Sequence, residues 1–292
     1  MGITATEASD LFRRPPERFI DVGDGEVAHR RVGTGPDVLF VHGWPVSGAT
    51  FRGLLPHLAD HVTCHRIDLP GTGDSRYDTS TPLSLDLHIR SVRAVLDTLA
   101  LDQVAVVGHD SGGMIARHAL AGDARVRGFG LIDTEQTGGS SFRFRAFLAG
   151  RHVPGFGGIL GWAVGRPRLR RNSFVLGGAF HDKRLLDGEF DEFFLRPLRE
   201  SPSHRDATIR ILKTFDYRFV HELADLHRKI EVPVRLVWGV HDPFFPVAKA
   251  RAMVGTFREA TLHEIQDAAL FSHEEQPARV ASALLPLLTR QG

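Results

Sequence analysis

The chain of 292 residues is poor in sulfur: it has one cysteine, Cys64, and three methionines. A single thiol excludes an intrachain disulfide and a Cys-based zinc site. Charge of one sign is not in surplus either. Lys and Arg total 36 against 35 Asp and Glu, so the basic excess that draws a protein to nucleic acid is missing. No stretch approaches the ~18 apolar residues that span a bilayer. The first residues also lack the basic and then apolar pattern of an export signal. With no disulfide to form, a cytoplasmic location is expected. Tyrosine is scarce, with two residues, whereas histidine is abundant, with sixteen, and phenylalanine reaches twenty. Hydrophobic residues at 42% exclude a disordered chain.

What is there is a rhythm of short apolar runs and amphipathic stretches. Residues 19–22 and 26–32 read as two strands joined by Gly23-Asp24-Gly25, a hairpin at a sheet edge. Strands are expected at Val38–Val41, around Val62–Ile67, and at Val104–Val107, Phe129–Ile132, Val232–Trp238 and 260–265. Between them lie helical patterns near 48–60, over 85–100 with Leu85, Ile89, Val92, Leu96 and Leu99 on one face, from Met114, near 247–257 and over 277–289. Strand alternating with helix implies a mostly parallel sheet covered on both faces. The rhythm lapses between 136 and 228, where Phe-rich helical pieces and glycine turns carry no buried strand. We therefore expect a core formed by 1–135 and 229–292, with 136–228 inserted as a helical cap.

One motif carries chemistry. Gly108-His109-Asp110-Ser111-Gly112 stands between a strand and a helix, the setting of a nucleophile elbow, whose central residue sits on a tight turn flanked by small residues. The centre is Asp110. A helix N-terminus behind it favours an ionised carboxylate. Asp110-Ser111-Gly112-Gly113 also spells the active-site string of chymotrypsin-like proteases, but those are disulfide-prone all-β proteins. A serine esterase using Ser111 would shift the elbow by one residue, and a plain strand–turn–helix without catalysis is the bland alternative. His57, His61, Cys64 and His65 straddle a helix end and a strand whose side chains alternate faces, so no metal site is expected there.

With the elbow stand His42-Gly43-Trp44-Pro45, Gly71-Thr72-Gly73-Asp74-Ser75 and Trp238-Gly239-Val240-His241-Asp242. In that order and spacing the chain resembles the α/β-hydrolase family, and within it the epoxide hydrolase and haloalkane dehalogenase branch, from about residue 18 to 290. The resemblance implies an α/β-hydrolase fold: a mostly parallel twisted sheet flanked by helices, with an inserted cap. It implies Asp110 as nucleophile, the Trp44 and Ser111 backbone N–H groups as oxyanion hole, and no cofactor or metal. An aspartate attacking an sp³ carbon forms an ester that must then be hydrolysed. That step calls for a histidine oriented by a carboxylate. Asp242 is the first choice for that carboxylate and Asp133 the second.

The segment Ile265 to Pro277 resembles the family's Gly-His-Phe stretch, but its histidine position holds Leu270. The nearest histidine, His273, is the nominal base; without it the hydrolytic half-reaction would be impaired. Ser111 stands where dehalogenases usually place a halide-holding Trp. The nearest arginine for a substrate carboxylate is Arg117. Tyr217 falls where the family's second proton-donating tyrosine would fall, which tilts the expectation toward epoxide opening. His42, His109, Trp162 and Phe271 are candidate substrate contacts. The cap's phenylalanines imply a small apolar organic substrate, with water as co-substrate. The arginines at 166, 168, 170 and 171 read as a solvated face. A haloalkane dehalogenase, or a ligand-binding member that has lost its base, are the alternative functions. Neither nucleic acid nor membrane is an expected partner, and a monomer or homodimer is expected.

Overall fold

The computed structural model describes residues 2–290. Eight strands form one sheet: β1 (Arg18–Asp21), β2 (Glu26–Gly33), β3 (Asp37–Val41), β4 (Thr63–Asp68), β5 (Val104–His109), β6 (Val126–Ile132), β7 (Val234–Gly239) and β8 (Ala260–Ile265). Their spatial order is β1-β2-β4-β3-β5-β6-β7-β8. The hairpin β1–β2 is antiparallel and pairs antiparallel to β4, while β3 through β8 run parallel. The strands β4 and β5 are buried along their whole length; β5 opens with the continuous apolar run of a strand covered on both faces, whereas β4 buries Thr63, His65, Arg66 and Asp68.

Helices pack on both faces of this sheet. On one side lie α3 (Leu85–Thr98) and α4 (Ser111–Leu120). Leu85, Ile89, Val92 and Leu96 form the buried stripe of α3, and the Ser84 hydroxyl caps it by accepting the Leu87 N–H. On the other side, α1 (Ala5–Arg13), a 3₁₀ turn over Gly48–Leu54, α2 (Leu55–Leu58) and α14 (Pro277–Leu288) close a second core around Phe40, Phe51 and Val107. The helix α12 (Val247–Met253) bridges β7 and β8.

Between β6 and β7 the regular elements are all helical, joined by turns, with no strand among the described residues. In order come α5 (Phe142–Gly150), α6 (Phe156–Val164), α7 (Pro167–Arg170), a π-helical turn over Asp191–Leu195 that runs into α8 (Arg196–Glu200), α9 (Pro202–Lys213), α10 (Arg218–His221) and α11 (Leu223–Lys229). The last two pack against α4 of the core.

Three local expectations are corrected. The N-terminal α1 was not anticipated; a capping box of Thr4 and Glu7 starts it. Residues 48–54 are 3₁₀ rather than α, with the Gly48 N–H taken up by Asp68 and the Ala49 N–H by Ser47. The helix after the elbow begins at Ser111, not Met114. Gly112 and Gly113 are poor helix formers, but Gly112 is packed so close to β3 that a Cβ there would come within 2.2 Å of the Val41 carbonyl oxygen. Tertiary contact decides over propensity.

Candidate functional site

Asp110 ends β5 with φ 50° and ψ −136°, a conformation that a non-glycine residue holds only when its surroundings enforce it. The turn lifts its carboxylate above the edge of the sheet, against the loop that follows β3. There the Trp44 backbone N–H donates to Asp110 Oδ2 at 2.8 Å, and the Ser111 N–H also favours the charged form. Gly43 makes the approach possible: a Cβ on it would lie 2.4 Å from Oδ2. The expected oxyanion-hole residues therefore meet around Asp110. With Oδ2 held by the Trp44 N–H, the carboxylate forms part of the wall of a cavity in front of it.

That cavity, about 70 Å³, is walled by Phe144, Phe147 and Leu148 of α5, Ile211 and Leu212 of α9, Phe244, Leu270, Phe271 and other apolar side chains. Among the described residues, the ionisable or hydroxyl side chains lining it are those of Asp110, Ser111 and Glu135. The indole N–H of Trp44, a further wall residue, is committed: it donates to the Thr208 carbonyl of α9 at 2.9 Å.

The carboxylates crowd together. Burial and the charges of Glu135 and Asp242 push Asp110 upward, against the pull of its two N–H donors. Burial likewise raises Glu135 to about 6, offset in part by Arg117. Asp242, in the turn after β7, is raised by burial to about 7. Its Oδ1 accepts the Phe244 and Phe245 N–H groups at 2.7 and 3.0 Å, while Oδ2 is buried with no partner. Asp133 is also raised by burial and by Asp242. It accepts the Gly239 N–H at 2.7 Å and the Ser272 hydroxyl, so it ties β6 to β7 and to the segment after β8, outside the cavity wall.

The histidines lie elsewhere. His273, on α13 (Ser272–Glu275), is fully buried but does not line the cavity. Its Nε2 bonds the Thr50 hydroxyl at 2.8 Å, and its ring packs on His109 at 4.3 Å and Phe51 at 5.4 Å. Since Thr50 donates onward to Glu274 at 3.0 Å, His273 donates through Nε2. Burial, with His109 and Arg52 nearby, pushes its pKa well down. Such a ring is a poor base for this cavity. Leu270 occupies the wall where the resemblance places the base.

Other expected contacts are also placed away from the cavity. His42 donates from Nδ1 to the Gly43 carbonyl and accepts the Leu69 N–H at Nε2, each at 2.9 Å; it braces the Trp44 loop. His109 donates to the Leu270 carbonyl at 3.0 Å. Trp162 is 54% exposed and stacks under Arg166. Tyr217 packs edge-on against Phe215, which lines the cavity, without lining it itself. Arg117 is buried behind the elbow and spent on Gly113, Thr134, Glu135 and His227. Phe271 alone of the expected substrate contacts lies in the wall.

Glu135 is the residue that sequence reasoning passed over. The signal was present: an acid just past the end of the strand beside the elbow strand, where open parallel sheets place their sites. Attention went to Asp133, two residues earlier, whose side chain turns into the sheet.

Comparison with known proteins agrees with this geometry. A family model described as alpha/beta hydrolase fold matches residues 36–277. A pimeloyl-[acyl-carrier protein] methyl ester esterase of Stenotrophomonas maltophilia is 41% identical over 100 residues, 34% of this chain and only 36% of that protein. Haloalkane dehalogenase 2 of Mycobacterium bovis is 27% identical over 277 residues, 92% of this chain and 93% of the relative. Among solved structures, the epoxide hydrolase CorEH superposes with a TM-score of 0.76 at 21% identity, covering 92% of this chain and 97% of that one. The sheet order, the strained residue at the end of β5 and the extent of the family match converge, and the chain belongs to the α/β-hydrolase fold family.

Proposed function

We propose that the protein is a hydrolase in which the Asp110 carboxylate attacks an sp³ carbon of a small apolar substrate, an epoxide first of all, and forms a covalent ester that water then cleaves. One observation carries this reading: a carboxylate on a nucleophile elbow, its Oδ2 seated on the Trp44 N–H, faces a cavity whose remaining walls are almost wholly apolar. A carboxylate is a competent nucleophile toward an alkyl carbon. On an ester carbonyl it would give a mixed anhydride, so the aspartate at the centre of the elbow argues against an esterase, whatever the partial match to one.

The choice between epoxide and halide rests on the leaving group. A departing halide needs N–H donors, and the Trp44 indole is already bonded to Thr208 while Ser111 follows the aspartate. An opened epoxide instead needs a proton for its oxygen, and a carboxyl group in the wall can supply one. A haloalkane dehalogenase is therefore the second choice of substrate class. Leu270 in the wall supports a further reading, a member that alkylates but does not hydrolyse.

Intact-protein mass spectrometry with styrene oxide and hexyl iodide tests the proposal. Product diol, or an adduct mapped to Asp110 and absent from Asp110→Asn, is the expected result. Neither product nor adduct with either probe would overturn it. An adduct that never turns over would favour the non-hydrolytic reading.

A further inference from the structure

Among the described residues, the cavity wall holds no imidazole, and Glu135 is the one ionisable side chain lining it besides Asp110. It follows β6, the strand paired with β5, so the two carboxyls stand at the same edge of the sheet. Thr134 lies between them. Its hydroxyl accepts the Arg117 Nη2 hydrogen bond at 3.0 Å, approaches the Asp110 carbonyl at 2.7 Å and Glu135 Oε2 at 3.1 Å. A hydroxyl has one hydrogen, and the shorter contact to the carbonyl claims it. The contact to Glu135 is then satisfied only when Glu135 itself carries a proton and donates it to Thr134.

Three charged groups face Glu135: Arg117 on α4, which favours its anion, Asp110 after β5 and Asp242 beyond β7. Arg117 gives its hydrogen bonds to other atoms and forms no ion pair with the Glu135 carboxylate. Backbone N–H groups favour the anion at both acids, two at Asp110 and that of Glu135 itself at Glu135. The Thr134 contacts are what assign a proton shared by these two acids to Glu135. Its raised value of about 6 keeps it able to give and take a proton near neutrality.

We propose that Glu135 does the proton transfer that a histidine would otherwise do here. This rests on the reading of Asp110 as nucleophile. In the first half, an Asp110 oxygen bonds to the epoxide carbon and the C–O bond breaks. The released oxygen takes the Glu135 proton, leaving an ester and a Glu135 carboxylate. In the second half, that carboxylate takes a proton from water while the water oxygen adds to the ester carbonyl. The tetrahedral oxyanion is held by the Trp44 and Ser111 N–H groups. Collapse expels the diol oxygen, which takes the remaining proton from Asp110, and both acids regain their starting states.

A pair of probes separates the roles. Hexyl iodide alkylates a carboxylate without any proton transfer, whereas styrene oxide needs an acid. In Glu135→Gln, opening of styrene oxide should slow by about 100-fold or more, far more than alkylation of Asp110 by hexyl iodide. The hexyl ester should disappear in the wild type and persist in the variant, with Glu135→Asp recovering part of the release. Equal ester release by wild type and Glu135→Gln would overturn the role of Glu135 while leaving Asp110 as nucleophile. Loss of the hexyl adduct in Glu135→Gln would also overturn it, by making Glu135 a residue that merely builds the site. Absence of any adduct or product in the wild type would instead overturn the reading of Asp110, and this one with it.

Discussion

Leu270 and Asp242 form the most informative pair of single residues. Asp242 Oδ2 is buried without a hydrogen-bond partner, at a cost of about 1–3 kcal/mol for an unsatisfied buried polar group. Replacing Leu270 by histidine puts an imidazole in the cavity wall, where an N–H that reached that oxygen would orient it as a second base for the ester. Leu270→His should therefore raise the rate of ester release by about 100-fold, the lower range of general-base catalysis, as read by decay of the hexyl adduct. No change in decay would show that the Asp242 oxygen cannot orient a ring placed there. The pH profile is the second test. With Glu135 as the acid and a value of about 6, styrene oxide opening should fall as pH rises through about 6. Glu135→Gln should lose that limb, and hexyl iodide alkylation should not show it in either protein.

At the scale of the element, the turn from β5 into α4 was readable from its glycines, and the structure gives the reason. A Cβ at Gly112 would stand 2.2 Å from the Val41 carbonyl, so Gly112→Ala should push α4 away from β3. The expected loss is about 3 kcal/mol, a value typical of overpacking, measured by urea unfolding. A stability within error of the wild type would mean that α4 can shift freely. The parallel strands were legible for a similar reason, since burial on both faces leaves uninterrupted apolar runs such as Val104–Val107. What escaped the sequence depended on side-chain direction. Asp133 and Glu135 both follow β6, and nothing in their spacing says that the first hydrogen-bonds Gly239 and Ser272 while the second faces the cavity. The direction of His273 escaped likewise, since its segment turns the ring toward Thr50.

At the scale of the whole molecule, four buried carboxyls (Asp110, Asp133, Glu135 and Asp242) share one region, with the buried Arg117 alongside. Asp242 and Glu135 titrate at about 7 and 6 when folded, above ordinary values of 3.8 and 4.5. Between those limits the unfolded chain has released protons that the folded one retains. Their contribution to stability is therefore complete at low pH and lost as pH rises from about 4 to 7. Thermal melts should show this loss, on the order of a few kcal/mol, and the double variant Asp242→Asn, Glu135→Gln should flatten it. A slope unchanged in the double variant would place the titration elsewhere.

Trp44 joins two parts of the molecule that could otherwise move independently. Its main chain stabilises negative charge on Asp110, and its indole is fastened to the Thr208 carbonyl of α9, in the roof of the cavity. Any swing of α9 that admits a substrate must break the indole bond or drag the loop with it, loosening the grip on the anion. The acidity of Asp110 is thereby tied to a contact on the far wall of the cavity, because losing the Trp44 N–H would shift the carboxyl further toward its protonated form.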